Sequence, residues 1–242
     1  MSWVLAIDTS DAEAYAALCS RDLSRVYEAW SSGSNSHNEE LSTMVQGLLG
    51  QAGVSCEMLE ALVCGAGPGS FTGLRIGLGF MKGLAVALRR PLELISSLKA
   101  AAYEFCAEKR GSLVCVMSDA RRAECFCAVY QDGQELLPPQ IVKAGEVEAI
   151  VEGLRAGTGC NPEDVVYVGR QGLEIPGVPA AQLRRAAHVA VSLCRLLGDR
   201  AAGQTFSLPV LSQAGPQYLR AVAARTIAER CQGEDGRAAG KS

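Results

Sequence analysis

Residues 65 to 79 constrain the fold more tightly than any other stretch: Gly65-Ala66-Gly67-Pro68-Gly69-Ser70-Phe71-Thr72-Gly73-Leu74-Arg75-Ile76-Gly77-Leu78-Gly79. They follow a short apolar run, Ala61-Leu62-Val63-Cys64, which reads as a buried strand because turn residues close it at once. Three glycines and a proline between positions 65 and 69 make a tight, stiff loop with free backbone N–H groups. From Phe71 to Leu88 the chain runs into a long apolar helix. Strand, glycine loop and helix start together make the geometry that holds an anion or phosphate. The familiar phosphate motifs do not fit. No Gly-Lys follows the loop, residue 70 is serine where the dinucleotide fingerprint needs glycine, and Ser70 is not framed as Gly-x-Ser-x-Gly. The loop therefore stays open between a ligand cradle and a structural turn. If it is a cradle, Gly67 and Gly69 contact nucleotide or phosphate together with Asp8, Thr9 and Ser10, the polar triplet after the first strand.

On a helical wheel Leu74, Leu78, Met81, Ala85 and Leu88 share one face, while Ile76, Phe80, Leu84 and Ala87 form an adjoining one. Only a stripe around Arg75, Lys82 and Arg89 is polar. A helix apolar around most of its circumference is expected to be buried on two sides. Its glycines, Gly73, Gly77, Gly79 and Gly83, each cost about 1 kcal/mol relative to alanine, which close approach of another backbone would offset. That second surface is either this chain's own or another protein's.

With 242 residues, 48% hydrophobic and 20% charged, the chain is long enough for two lobes with buried cores. A net charge of −3 gives no bulk attraction to nucleic acid. Ten cysteines contain no Cys-x-x-Cys pair, and most sit in apolar runs, as reduced thiols in a cytoplasmic protein would. Cys125-Phe126-Cys127 is read with its thiols on opposite strand faces. No signal peptide or membrane-spanning run is expected. The two histidines, His37 and His188, are far apart in sequence, and the residue four after His37 is Leu41, so no metal site and no catalytic set is assembled.

In chain order, strands are expected at 3–7, 12–19 and 23–30, and then a helix at 37–52 with Ser36 and Glu39 as capping box and Gly53 as its stop. Its seam is Leu41, Met44, Val45, Leu48 and Leu49. Strand 92–95 and helix 98–108 complete a first lobe, residues 1–108. A second lobe, 109–231, has strands at 113–117, 123–130, 141–143 and 165–168 and helices at 147–155 and 183–197. In the last of these, Ala187, Val191, Cys194 and Leu196 or Leu197 point inward. The C-terminal part of this lobe is free to return onto the first, and residues 232–242 form a disordered tail. Met117-Ser118-Asp119 echoes Ala6-Ile7-Asp8, a hint of internal duplication.

Four landmarks resemble one family. Leu5-Ala6-Ile7-Asp8-Thr9-Ser10, Gly67 through Gly77, Asp119-Ala120-Arg121 and Pro216-Gln217-Tyr218-Leu219-Arg220 are similar to the TsaB (YeaZ) family, in its order. The resemblance implies an α/β, two-lobed actin-like ATPase fold (ASKHA, ribonuclease H-like). It implies a non-catalytic scaffold subunit of bacterial tRNA threonylcarbamoyladenosine synthesis, which binds and activates the transferase TsaD. TsaD holds its metal with a His-x-x-x-His pair that His37 and Leu41 break here. The resemblance also implies TsaE, an ATPase, as a further partner. tRNA is engaged indirectly, and ATP or ADP, if present, sits at the subunit junction. TsaD is met through the first two helices, on Leu41, Met44, Val45, Leu48, Gly73, Ile76, Gly77, Phe80, Gly83 and Leu84. In isolation the same face is expected to pair with itself. The alternative is a stand-alone glycoprotease-type metallopeptidase or an ATP-binding hydrolase.

Overall fold

The computed structural model describes residues 2–31, 37–169, 178, 183–198 and 205–219, with only the backbone of 37–39. Ser36, the side chains of His37 and Glu39, Arg220 and the tail 232–242 lie outside the described residues.

The first sheet holds β1 (Trp3–Asp8), β2 (Tyr15–Ser20), β3 (Val26–Trp30), β4 (Leu59–Gly65) and β5 (Leu92–Ile95) in the order β3-β2-β1-β4-β5. The β1–β2 and β2–β3 pairs are antiparallel, and β1–β4 and β4–β5 are parallel. The second sheet holds β6 (Leu113–Arg121), β7 (Glu124–Gln131), β8 (Gln134–Lys143), β9 (Val165–Gly169) and β10 (Leu183–Arg185). Its order is β8-β7-β6-β9-β10, with the same pairing senses. β1 and β6 are thus equivalent central strands, and the echo between Asp8 and Asp119 reflects a repeated topology. This repeat is the two-lobed actin-like architecture that the resemblance implied.

Three cores separate the layers. Helices α1 (His37–Ala52) and α2 (Phe71–Leu88) cover the outer face of the first sheet, where Leu5, Ile7, Leu41, Val45, Leu48, Leu62 and Met81 pack. Helices α3 (Ser97–Glu108) and α5 (Val189–Leu197) fill the space between the sheets, with Val4, Ala6, Val63, Leu98, Phe105, Val116 and Leu193. Helix α4 (Val147–Thr158) covers the outer face of the second sheet over Cys115, Met117, Cys127, Val147 and Val151. Both faces of β1 are covered, so Leu5 and Ile7 point one way, Val4 and Ala6 the other, and the strand reads as continuously apolar. The chain after β10 packs on the first sheet: α5 lies against β1 and β2, and Phe206 and Leu211, at the short α6 (Leu208–Gln213), join the outer core there.

Several expectations need correction. β2 starts at Tyr15 rather than at 12, and β3 only at Val26, because Leu23 between the two strands takes a left-handed turn (φ 58°) inside a network that ties Ser20, Asp22 and Ser24 and so delays β3. β8 spans Gln134–Lys143 rather than 141–143; Pro138 and Pro139 are tolerated because β8 is an edge strand. The helix expected at 183–197 begins only at Val189, since Leu183–Arg185 pairs in parallel with β9. Ala187 is therefore exposed, while Val191, Cys194 and Leu197 are buried. Cys125 and Cys127 share one strand face, as residues two apart must, and both lie in the outer core of the second lobe. There the Cys127 sulfur lies 3.7 Å from that of Cys115.

Candidate functional site: the glycine loop and the two faces of helix α2

Asp8, Thr9 and Ser10 follow β1 directly and are 0%, 0% and 3% exposed. Asp8 Oδ1 accepts from the Ser10 N–H at 3.0 Å and the Ser10 hydroxyl at 2.6 Å. The glycine loop then closes over this triplet. The Ser70 N–H donates to the Ser10 carbonyl at 2.7 Å, and the Thr9 hydroxyl donates to the Gly73 carbonyl at 2.7 Å. The loop also ties to the start of α3: the Gly67 N–H donates to Ser97 Oγ at 3.0 Å, and the Ser97 N–H returns to the Gly67 carbonyl at 2.9 Å. The Ala66 N–H donates to the Ile95 carbonyl at 2.8 Å, and Gly67–Pro68 is a cis peptide. Ser70 caps α2 by accepting from the Gly73 N–H at 3.2 Å.

These bonds tie much of the expected cradle into the fold. The N–H groups of Ala66, Gly67, Ser70 and Gly73 are donated within the chain, and a Cβ at Gly69 would come within 2.0 Å of the Ser10 carbonyl oxygen. Asp8, Thr9, Ser10, Gly67 and Gly69 here join one strand end to one helix start. Cys64, beside them, is no nucleophile: burial first, then the Asp8 charge, push its thiol far up.

The same contacts decide which helix residues face inward. A Cβ at Gly73 would lie 2.1 Å from the Thr9 carbonyl oxygen, and one at Gly77 would lie 2.2 Å from Thr9 Oγ1. These two glycines admit the β1–β2 connection. Leu41, Val45 and Leu48 are 0%, 4% and 0% exposed in the first lobe's own core. Leu41, Val45, Leu48, Gly73 and Gly77 are thus spent on the fold, because the α1 seam packs on the sheet and on α2. The other half of the expected set reaches the surface. Met44, Ile76, Phe80 and Leu84 are half-buried, Gly83 is exposed, and Val86 beside it is 48% exposed. Around Gly47 and Gly50 on α1, and Gly79 and Gly83 on α2, nothing among the described residues lies within 4 Å of where a Cβ would stand. α2 is therefore buried along one face and open along the other. It has the length and apolar character to cross a bilayer, yet its Leu78, Met81 and Ala85 row is packed on its own sheet.

Sequence reasoning missed the clasp at the start of α2. The Gln217 N–H donates to the Ala66 carbonyl at 2.7 Å. The Tyr218 ring lies 5.2 Å from that of Phe71, and the Tyr218 hydroxyl accepts from Arg75 Nε at 3.2 Å. The Arg75 guanidinium in turn stands 4.0 Å over the Phe71 ring. Pro216-Gln217-Tyr218 served only as a landmark in the sequence, and no spacing rule joins positions so far apart.

A family model described as TsaD, tRNA N6-adenosine threonylcarbamoyltransferase, matches residues 31–192. The tRNA threonylcarbamoyladenosine biosynthesis protein TsaB of Escherichia coli (strain K12) is 35% identical over 133 residues, which are 51% of this chain and 58% of that protein. The Haemophilus influenzae protein of the same name is 32% identical over 124 residues, 51% of each chain. The match thus spans little more than half the length of these curated relatives. The solved structure of YeaZ from Pseudomonas aeruginosa superposes with a TM-score of 0.64 at 29% identity, covering 90% of this chain and all of that one. A second structure, described as similar to peptidase YEAZ from Pseudomonas aeruginosa, gives 0.67 at 28% identity, covering 91% of this chain. With the matching segments, the repeated sheet and the loop landmarks in agreement, the chain belongs to the TsaB (YeaZ) family.

Proposed function

We propose that this chain is a non-catalytic partner subunit in the synthesis of threonylcarbamoyladenosine on tRNA. It binds TsaD through the outer faces of α1 and α2 and activates threonylcarbamoyl transfer. The observation that carries the reading is the open, glycine-lined surface of Gly47, Gly50, Gly79 and Gly83, flanked by half-buried Met44, Ile76, Phe80 and Leu84. Small residues at helical spacing let a second helix backbone come close, and half-buried apolar side chains at the rim gain from losing water. Leu41 supports the non-catalytic part: the position four after His37 is a core residue rather than a ligand. The names of the relatives supply the pathway. In such a complex TsaE joins the pair, tRNA is met through TsaD, any ATP or ADP lies at the junction between subunits, and the setting is cytoplasmic. Alone, the same face pairs two copies of this chain.

Gly83→Trp tests the reading, because the site is open and the substitution leaves the core untouched. The expected outcome is an unchanged melting temperature with loss of TsaD co-purification and of stimulated transfer. Binding of TsaD at wild-type strength would sink the proposed interface.

A further inference from the structure

At the free edge of the first sheet the chain leaves a hollow of about 210 Å³, away from α1 and α2, between β3 and the segment that leads from β10 into α5. Tyr15 and the small side chains Ala29, Ala187 and Ala190 line it. One wall is Trp30, which is 66% exposed, whereas the other tryptophan, Trp3, is 1% exposed. Glu28 stands two residues before Trp30, so both side chains leave β3 on the same face. An exposed indole with a carboxylate beside it, at the mouth of a cavity, is an arrangement that attracts cations.

The remaining charges point the same way. His188 Nδ1 lies 2.9 and 3.1 Å from the two Glu28 oxygens. Glu13, from the connection before β2, pairs with Arg185 at 2.6 Å and accepts from the Tyr15 hydroxyl. Glu104, from α3, accepts from the backbone N–H groups of Ala187 and His188, and burial raises its carboxyl. Glu28 is the carboxylate that lines the hollow itself, and the Arg185 guanidinium there is already paired with Glu13.

Size narrows the occupant. Pockets for whole small ligands run to roughly 300–1,000 Å³, so this hollow admits one side chain rather than a free metabolite. A guanidinium is planar, stacks on an indole, forks onto a carboxylate and sheds water more readily than an ammonium. We propose that the Trp30–Glu28 hollow receives an arginine side chain presented by a protein partner. The site is independent of the α1–α2 surface and does not rest on the TsaD reading.

The test uses the full chain and the peptide acetyl-Gly-Arg-Gly-amide, followed by tryptophan fluorescence and by calorimetry. The expected result is a saturable change at millimolar peptide, weakened about tenfold or more in Trp30→Ala and Glu28→Gln, which corresponds to at least one decade in Kd. Trp3 emission and the melting temperature verify that both variants are folded. Four outcomes would overturn the proposal: no saturable binding, equal binding of the uncharged citrulline peptide, tighter binding of free spermidine than of the peptide, or displacement of the peptide by adenosine monophosphate. The third would make the occupant a free polyamine, and the fourth a nucleotide.

Discussion

Gly73 and Gly77 lie on the inner side of α2, Gly79 and Gly83 on the outer side, and the two pairs are set apart by what a methyl group would meet. At the inner pair it would overlap Thr9, at 2.1 and 2.2 Å. At the outer pair it would meet nothing within 4 Å. Inward, the absent side chain lets the β1–β2 connection lie against the helix, so that the Thr9 hydroxyl reaches the Gly73 carbonyl. Outward, the absent side chain leaves a helix interior carrying glycine with no benefit inside this chain. A residue that weakens a helix by about 1 kcal/mol and meets nothing among the described residues is where the proposed partner would gain most from a close approach.

The largest effect that tests this contrast is Gly77→Leu. No rotamer moves the Cβ itself away from Thr9, so strand connection or helix must shift. We expect a loss of more than about 4 kcal/mol, in the range that marks severe core disruption, read as collapse of the denaturant midpoint. A Gly77→Leu protein with near wild-type stability would show that the close approach to Thr9 is not structural.

A double-mutant cycle sharpens the same point at smaller size. Gly77→Ala alone should destabilise. In a Thr9→Ala background it should cost less, because the Oγ1 and Cγ2 atoms that crowd the new methyl are gone. A coupling of about 1–3 kcal/mol is expected for residues in direct contact. Strict additivity in chemical denaturation would remove Thr9 as the reason for Gly77.

On the outer side the sign reverses. Gly79→Ala and Gly83→Ala should each stabilise the isolated chain by about 0.5–1 kcal/mol, since alanine restricts the unfolded chain and meets nothing in the folded one. Thermal unfolding of the two variants, with the protein alone and dilute enough to be monomeric by light scattering, reads this directly. Destabilisation by either alanine would mean that the outer face is occupied from within the chain.

The helix and its period are legible in the sequence, and so are the strand that precedes it, the loop and the seam of α1. Which glycine faces which neighbour is not. Gly73, Gly77, Gly79 and Gly83 look equivalent as letters, and their roles differ only through Thr9, which is 64 residues from Gly73. The loop is ambiguous in the sequence for a related reason. A glycine loop at the start of a helix has the shape of an anion site whether or not its N–H groups are already used, and here Ser10, Ser97 and Ile95 take three of them. Local patterns also failed at β10, where a helix-like run from Leu183 is overridden by pairing with β9. The prolines of β8 are tolerated because that strand lies at an edge and its pairing shifts register across them, facts that no local window contains.

The smallest effect concerns the clasp that meets α2 at its exposed end. Tyr218 is 40% and Phe71 37% exposed, so their contact, the Arg75 hydrogen bond and the Arg75–Phe71 stacking are all partly solvated. Contacts of this kind are worth about 0.5–1 kcal/mol each at exposed sites, and Tyr218→Ala should therefore lower stability by no more than about 1 kcal/mol. Tyr218→Phe keeps the ring contact and loses only the bond from Arg75, so its effect should be smaller still. The sharper readout is local. With the Tyr218 ring gone, the Gln217–Ala66 bond remains to tie the segment after α6 to the loop that leads into α2. Amide exchange at Gln217 should then quicken, while exchange in the α2 interior stays slow. If exchange quickened equally through Gly73 and Gly77, the clasp would be part of the inner packing rather than a separate, weaker attachment at the helix start.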